Sequence, residues 1–131
     1  MLKRRFDFYL GIISYPQILL GILLAIFPVY GLKFIMEFPA EPGIATVFFA
    51  RMYFVSFVMM GIMILSIRSF PDRNRNLIFW ISLYFIYTAV QFFIGMYLKQ
   101  LIYLSVLPAL FFLVSGLFLM AYASRNLLIR E

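Results

Sequence analysis

Few side chains in this sequence could do chemistry, and the most informative of them is Arg51. The chain has no cysteine and no histidine, which excludes disulfides, thiolate and imidazole catalysis, and the commonest ligands of metals and haem. Arg51 is the one charged side chain within four long apolar runs, 8–32, 44–67, 77–98 and 101–124. A guanidinium placed there can snorkel to lipid head groups, pair with Glu37 or Glu41, or hold an anionic or carbonyl-bearing ligand.

The third apolar run contains three further polar residues at helical spacing, Gln91, Thr88 and Tyr84. Gln91 lies seven residues from the end of its run, and Arg51 lies seven residues from the matching end of the second run. The two side chains could therefore share one layer of a helix bundle, together with a carbonyl left free by Pro108. We favour ordinary hydrogen bonds between helices for this stripe over a contact site for a ligand or partner.

Catalytic chemistry finds little support in the sequence. No carboxylate lies inside any of the four runs, so acid–base catalysis and proton-coupled export lack a membrane-embedded acid. The sequence has no phosphate-binding glycine loop and no metal-binding constellation. We therefore predict no catalytic residue, no metal site and no enzymatic activity of the chain on its own.

The elements that position these residues follow from composition and length. Hydrophobic residues make up 66% of the chain and charged residues 12%, against about 25% charged in a typical soluble domain. A bilayer core needs about 20 helical residues, and all four runs meet that length. Continuous apolar runs must be helices in lipid, and the alternation of a transmembrane barrel is absent. The prediction is an all-α, integral membrane protein with one domain, 1–131, and four transmembrane helices.

The connections between the runs are short, which predicts an up-down bundle. A proline-containing segment, 33–43, joins the first two runs, a turn at 68–76 joins the second pair, and residues 99–100 alone separate the last two. The first run is too long for a secretory signal peptide, so we expect it to be retained. Within it, Pro16 and Gln17 indicate a kink that the side-chain amide could stabilise, although we favour a plain packing kink.

Basic residues set the predicted orientation. An N-in arrangement places on one face the residues Lys3, Arg4, Arg5, Arg68, Arg73, Arg75, Arg125 and Arg130. The opposite face then receives Lys33, Lys99, Glu37 and Glu41. The positive-inside rule predicts an N-in/C-in, multi-pass protein with both termini cytoplasmic, which we expect in a prokaryotic inner membrane. This arrangement accounts for the net charge of +6, and we expect no nucleic-acid partner.

Part of the chain resembles the small four-helix DoxX-like membrane families. The resemblance rests on a first helix ending near Pro28, the segment Ala50-Arg51-Met52-Tyr53 with Gly61 following it, and the basic turn 68–75. Those families often place an arginine early in the second helix, and DoxX proper is a membrane subunit of a thiosulfate–quinone oxidoreductase. The resemblance implies a four-helix fold, a role for Arg51 as a polar contact, and quinone as a ligand class.

Two functional hypotheses follow from these observations. The first is a non-catalytic accessory or structural subunit that packs against a larger membrane protein complex. The alternative is a small carrier or binder of a lipophilic, partly anionic molecule, a quinone or a lipid, held by Arg51 and Gln91. The lipid bilayer is an expected partner under both hypotheses. Other membrane subunits are expected partners under the first. No cofactor of its own is expected, and a bound lipid or quinone is the one candidate small molecule.

Overall fold

The computed structural model describes residues 2–36 and 42–125, with the backbone alone for residues 2–5. The described chain is helical, in the order α1 (Leu2–Ile26), α2 (Pro28–Ile35), α3 (Ile44–Arg68), α4 (Arg75–Tyr97) and α5 (Val106–Arg125). It forms two compact units, Met1–Ser69 and Phe70–Glu131, here called the first and the second unit. Each unit is a hairpin of two long helices.

The first unit is held together where α1 packs against α3, with the short α2 packing against both. Close approach depends on glycine from each side. A methyl group added at Gly21 of α1 would lie 3.1 Å from both the carbonyl oxygen of Phe54 and the backbone nitrogen of Val58 in α3. One added at Gly61 of α3 would lie 2.5 Å from a side-chain carbon of Ile18. The two helices therefore pack backbone against backbone, as membrane helices with small interface residues do.

The predicted helix 8–32 is divided in the structure at Phe27. Pro28 occupies the first position of α2, where the missing proline N–H removes no hydrogen bond. The residue before a proline is driven out of the helical region, and Phe27 has φ −118° and ψ 63°. Pro16, by contrast, lies inside α1, which continues past it to Ile26.

The second unit consists of α4 packed against α5. Its buried residues are aromatic, aliphatic and small side chains from both helices. The ring of Phe112 stacks on Phe92 with centroids 6.3 Å apart and meets Phe85 edge-on at 5.3 Å. A methyl group at Gly116 would lie 3.1 Å from the backbone nitrogen of Ile86, so this pair of helices also makes a close backbone contact.

The turn between α4 and α5 is longer than the sequence predicts. The N–H of Lys99 donates to the carbonyl of Met96 and that of Gln100 to Gly95, which is the hydrogen-bond pattern of a Schellman motif. Lys99 adopts φ 57°, a left-handed conformation that favours glycine. A 3₁₀ turn, Tyr103–Ser105, follows, so the fourth long helix begins at Val106 instead of the predicted 101.

Pro108 is accordingly the third residue of α5. The first four N–H groups of a helix have no intrahelical acceptor, so the proline breaks no bond within α5. Leu104, whose carbonyl we expected Pro108 to free inside the helix, lies in the preceding 3₁₀ turn.

Four segments are long and apolar enough to cross a membrane: Phe6–Ile26, Ile44–Arg68, Arg75–Tyr97 and Tyr103–Arg125. The prediction of an all-helical protein with four candidate membrane spans is confirmed. The structure supports a multi-pass membrane protein in contact with a lipid bilayer. The packing of the four helices as one bundle and the N-in/C-in orientation stay predictions.

Candidate functional site

Arg51 lies on α3, seven residues or about 10 Å from the helix start at Ile44. Its neighbours Ala50 and Phe54 are buried, whereas Arg51 itself is exposed. The guanidinium makes no ion pair within the described chain. Glu37 and Glu41, its predicted acidic partners, lie outside the described residues. Arg51 therefore presents a charge on the outer face of the first unit.

Gln91 shows the same combination of depth and exposure on α4. It lies six residues or about 9 Å from the helix end at Tyr97, and its side chain is exposed. No hydrogen bond joins its amide to another described residue. Arg51 belongs to the first unit and Gln91 to the second, so a shared layer of the two stays a prediction.

The other two residues of the predicted polar stripe differ from Gln91. Thr88 is buried, and its hydroxyl donates to the carbonyl of Tyr84 at 2.9 Å, within α4. This bond satisfies the hydroxyl locally, as threonine often does one turn along its own helix. Tyr84 is half-buried, with its ring tilted against the adjacent Phe85 at 6.2 Å. Thr88 thus has no donor left for a ligand, and Gln91 remains the outward-facing member of the stripe.

Gln17 is a buried polar side chain that was not among the candidate site residues predicted from the sequence. It is only 4% exposed, and neither its amide nitrogen nor its amide oxygen has a hydrogen-bond partner within the described chain. The hypothesis that its amide stabilises a kink at Pro16 finds no such bond. The signal in the sequence was the amide itself, in the middle of an apolar run, where an unpaired polar group is expensive.

At one end of the first unit, α3 and α1 each contribute a charged side chain. Arg68, the last residue of α3, lies against α1, with a guanidinium nitrogen 3.5 Å from the position of a methyl group at Gly11. Asp7 lies one turn before Gly11 on the same face of α1. One carboxylate oxygen of Asp7 is buried without a hydrogen bond. The glycine therefore leaves room for the Arg68 guanidinium against α1.

The end of the second unit where α4 begins and α5 ends carries a polar cluster on its surface. The hydroxyl of Tyr122, in the last turns of α5, donates to the Asp72 carboxylate at 2.8 Å. Arg75, the first residue of α4, lies 3.8 Å from the same carboxylate oxygen. These contacts join the turn before α4 to the end of α5. Arg73 and Arg125 lie beside this cluster in sequence, and both are exposed.

The described residues hold no group of three histidine, cysteine, aspartate or glutamate side chains that could bind a metal ion. These residues offer hydrogen bonds and charge at two places. Arg51 and Gln91 lie within the candidate spans, and the Asp72 cluster lies at a helix end.

Comparison with known proteins adds no relative. No model of a protein family, no curated protein and no solved structure matches this chain. The resemblance to DoxX-like families accordingly stays a prediction, and what the protein does must be argued from its own residues.

Proposed function

We propose that this protein is a small, non-catalytic accessory subunit that packs against other chains of a larger membrane protein complex. The observation that supports it is the outward position of Arg51 and Gln91 within apolar spans. A guanidinium at the centre of a membrane helix costs about 2.5–3.5 kcal/mol on insertion scales and less nearer the end. An outward-facing amide in hydrocarbon likewise favours any partner that accepts its hydrogen bonds.

A partner helix fits this surface better than lipid tails do. Around Arg51, α3 exposes large apolar side chains, among them Phe49 and Met52. Aromatic and methionine side chains are enriched at the centres of protein interfaces, and arginine is a common anchor there. A neighbouring subunit with a carboxylate or carbonyl group at this depth would pair with Arg51 and be covered by the apolar residues around it.

The experiment is purification of the tagged full chain from its native membrane in a gentle detergent. The wild type should carry other membrane chains in fixed stoichiometry. A charged hydrogen bond contributes about 1.5–3 kcal/mol, so Arg51→Leu should lower partner recovery at least about tenfold. Gln91→Leu should lower it about threefold, since hydrogen bonds between membrane helices average about 0.6 kcal/mol.

The matched controls are Met63→Leu, about three turns from Arg51 on α3, and Val90→Leu beside Gln91, which change exposed apolar side chains and should leave recovery unchanged. Purification of the wild type alone and monodisperse would overturn the proposal. Arg51→Leu that loses a retained quinone or lipid, with no chain lost, would support the carrier alternative instead.

A further inference from the structure

The second unit gathers positive charge at one of its two ends. Because α4 and α5 form a hairpin, the start of α4 and the end of α5 lie at the same end of the unit. Three arginines, Arg73, Arg75 and Arg125, belong to this end, and Lys99 belongs to the turn at the other. Asp72 is the single acid in residues 70–125.

The carboxylate of Asp72 is already engaged within the unit. It accepts a hydrogen bond from Tyr122 and lies beside the guanidinium of Arg75, at the distances given above. Arg73 follows Asp72 directly, and Arg125 lies three residues after Tyr122, so the Tyr122–Asp72 bond brings the segments that carry both arginines to the same end of the unit. Neither arginine forms an ion pair with a described residue, so no acid of residues 2–36 or 42–125 neutralises these two charges.

The position of these arginines along the spans indicates which anion meets them. One candidate span begins at Arg75, two residues after Arg73, and another ends at Arg125. Charged residues at the ends of a span are expected at the level of the lipid head groups. Trp80 is 65% exposed and lies five residues, about 8 Å, along α4. Tryptophan is enriched at that membrane boundary, so an exposed aromatic side chain and two cations lie at the same end of the second unit.

We propose that Arg73 and Arg125 form a binding surface for the phosphate head group of an anionic phospholipid, with Trp80 against its glycerol and upper acyl region. Arginine matches the geometry of phosphate oxygens and is less strongly hydrated than lysine. Lipid binding at these two arginines needs no partner chain, so this proposal goes beyond the proposed function and is tested independently of it.

The test uses Trp80 as the reporter, because it is the only tryptophan in the chain. The full chain is reconstituted into phosphatidylcholine vesicles containing a rising fraction of brominated phosphatidylglycerol, or of brominated phosphatidylcholine for comparison. Bromine quenches tryptophan at short range, so the two curves give the preference of this surface for the anionic lipid. The wild type should be quenched at a lower fraction of the anionic lipid than of the zwitterionic one.

Variants assign the effect to the two arginines. A basic residue near an anionic membrane contributes roughly a fivefold gain in binding, so Arg73→Gln with Arg125→Gln should lower the preference roughly 25-fold. Lys33→Gln with Lys99→Gln removes the same charge from exposed residues outside this surface and should keep the preference. Arg73→Lys with Arg125→Lys should retain most of it, and circular dichroism checks that each variant remains helical.

Two results would overturn the inference. One is equal quenching of the wild type by the two brominated lipids. The other is an equal loss of preference in the glutamine pair at 73 and 125 and in the control pair, which would mean that net charge acts without a site.

Discussion

Gln17 is a polar side chain buried where the described residues offer it no hydrogen bond. An amide has two donors and an acceptor with two lone pairs, and none of these is used in the described chain although the side chain is almost wholly buried. Leaving a buried polar group unpaired costs about 1–3 kcal/mol in proteins. Gln17 is thus expected to lower the stability of the first unit.

The prediction at this scale is that Gln17→Met raises stability. Methionine has nearly the same length and volume but no group that requires a hydrogen bond. We expect a gain of about 1–2 kcal/mol in unfolding free energy, measured by steric trapping or denaturant unfolding in mild detergent micelles. Gln91→Met, at an exposed position, is the control and should change stability little. A loss of stability in Gln17→Met would contradict this prediction and would mean that the amide is hydrogen-bonded in the folded protein.

The distance of a residue from the end of its helix could be predicted from the sequence. The direction in which its side chain faces could not. Counting from the ends of the runs places Arg51 and Gln91 at similar depths, and in the structure they lie seven and six residues from the helix ends at Ile44 and Tyr97. Whether each side chain faces a neighbouring helix is a different question. In lipid the outer face of a helix is as apolar as its inner face, so hydrophobic periodicity carries no signal.

At the scale of elements, the ends of the helices were partly predictable. Charged residues and prolines mark where a chain leaves hydrocarbon, so α3 and α4 lie close to their predicted bounds. What the sequence did not predict is that a separate short helix follows the break at Pro28, and that a 3₁₀ turn delays the start of α5 to Val106. Both depend on local backbone geometry, a proline at a helix start and a left-handed lysine after a helix end.

The contact of α1 with α3 gives a second prediction. Gly21 faces backbone atoms of α3 at distances too short for a larger residue, and backbone cannot move aside as a side chain can. Gly21→Val should therefore destabilise the first unit by about 1–3 kcal/mol, the usual cost of overpacking. Gly43 is the matched control, because a methyl group there would have no neighbour within 4 Å.

Gly43→Val should cost less than about 1 kcal/mol, through the weaker N-cap preference of valine alone. Both variants are compared with the wild type by the same unfolding measurement in detergent. Equal stability of Gly21→Val and the wild type would show that α1 and α3 do not meet at this glycine.

At the scale of the whole molecule, the orientation in the membrane is the prediction that follows from charge. Because the chain has no cysteine, a single introduced cysteine can show on which side of the membrane its position lies, with no labelling of native residues. With eight basic residues on one predicted face and two basic and two acidic residues on the other, the positive-inside rule places Arg73 in the cytoplasm. Lys33 and Lys99 should both lie outside, since the spans α3 and α4 separate them.

A membrane-impermeant maleimide added to intact cells should therefore label Lys33→Cys and Lys99→Cys nearly completely. Arg73→Cys should react only after the membrane is made permeable. All three positions are exposed in the structure, so a lack of reaction reports the membrane barrier and not burial. Labelling of Arg73→Cys from outside would reverse the orientation. If Lys33→Cys and Lys99→Cys reacted from opposite sides, one of the two helices between them would not cross the bilayer.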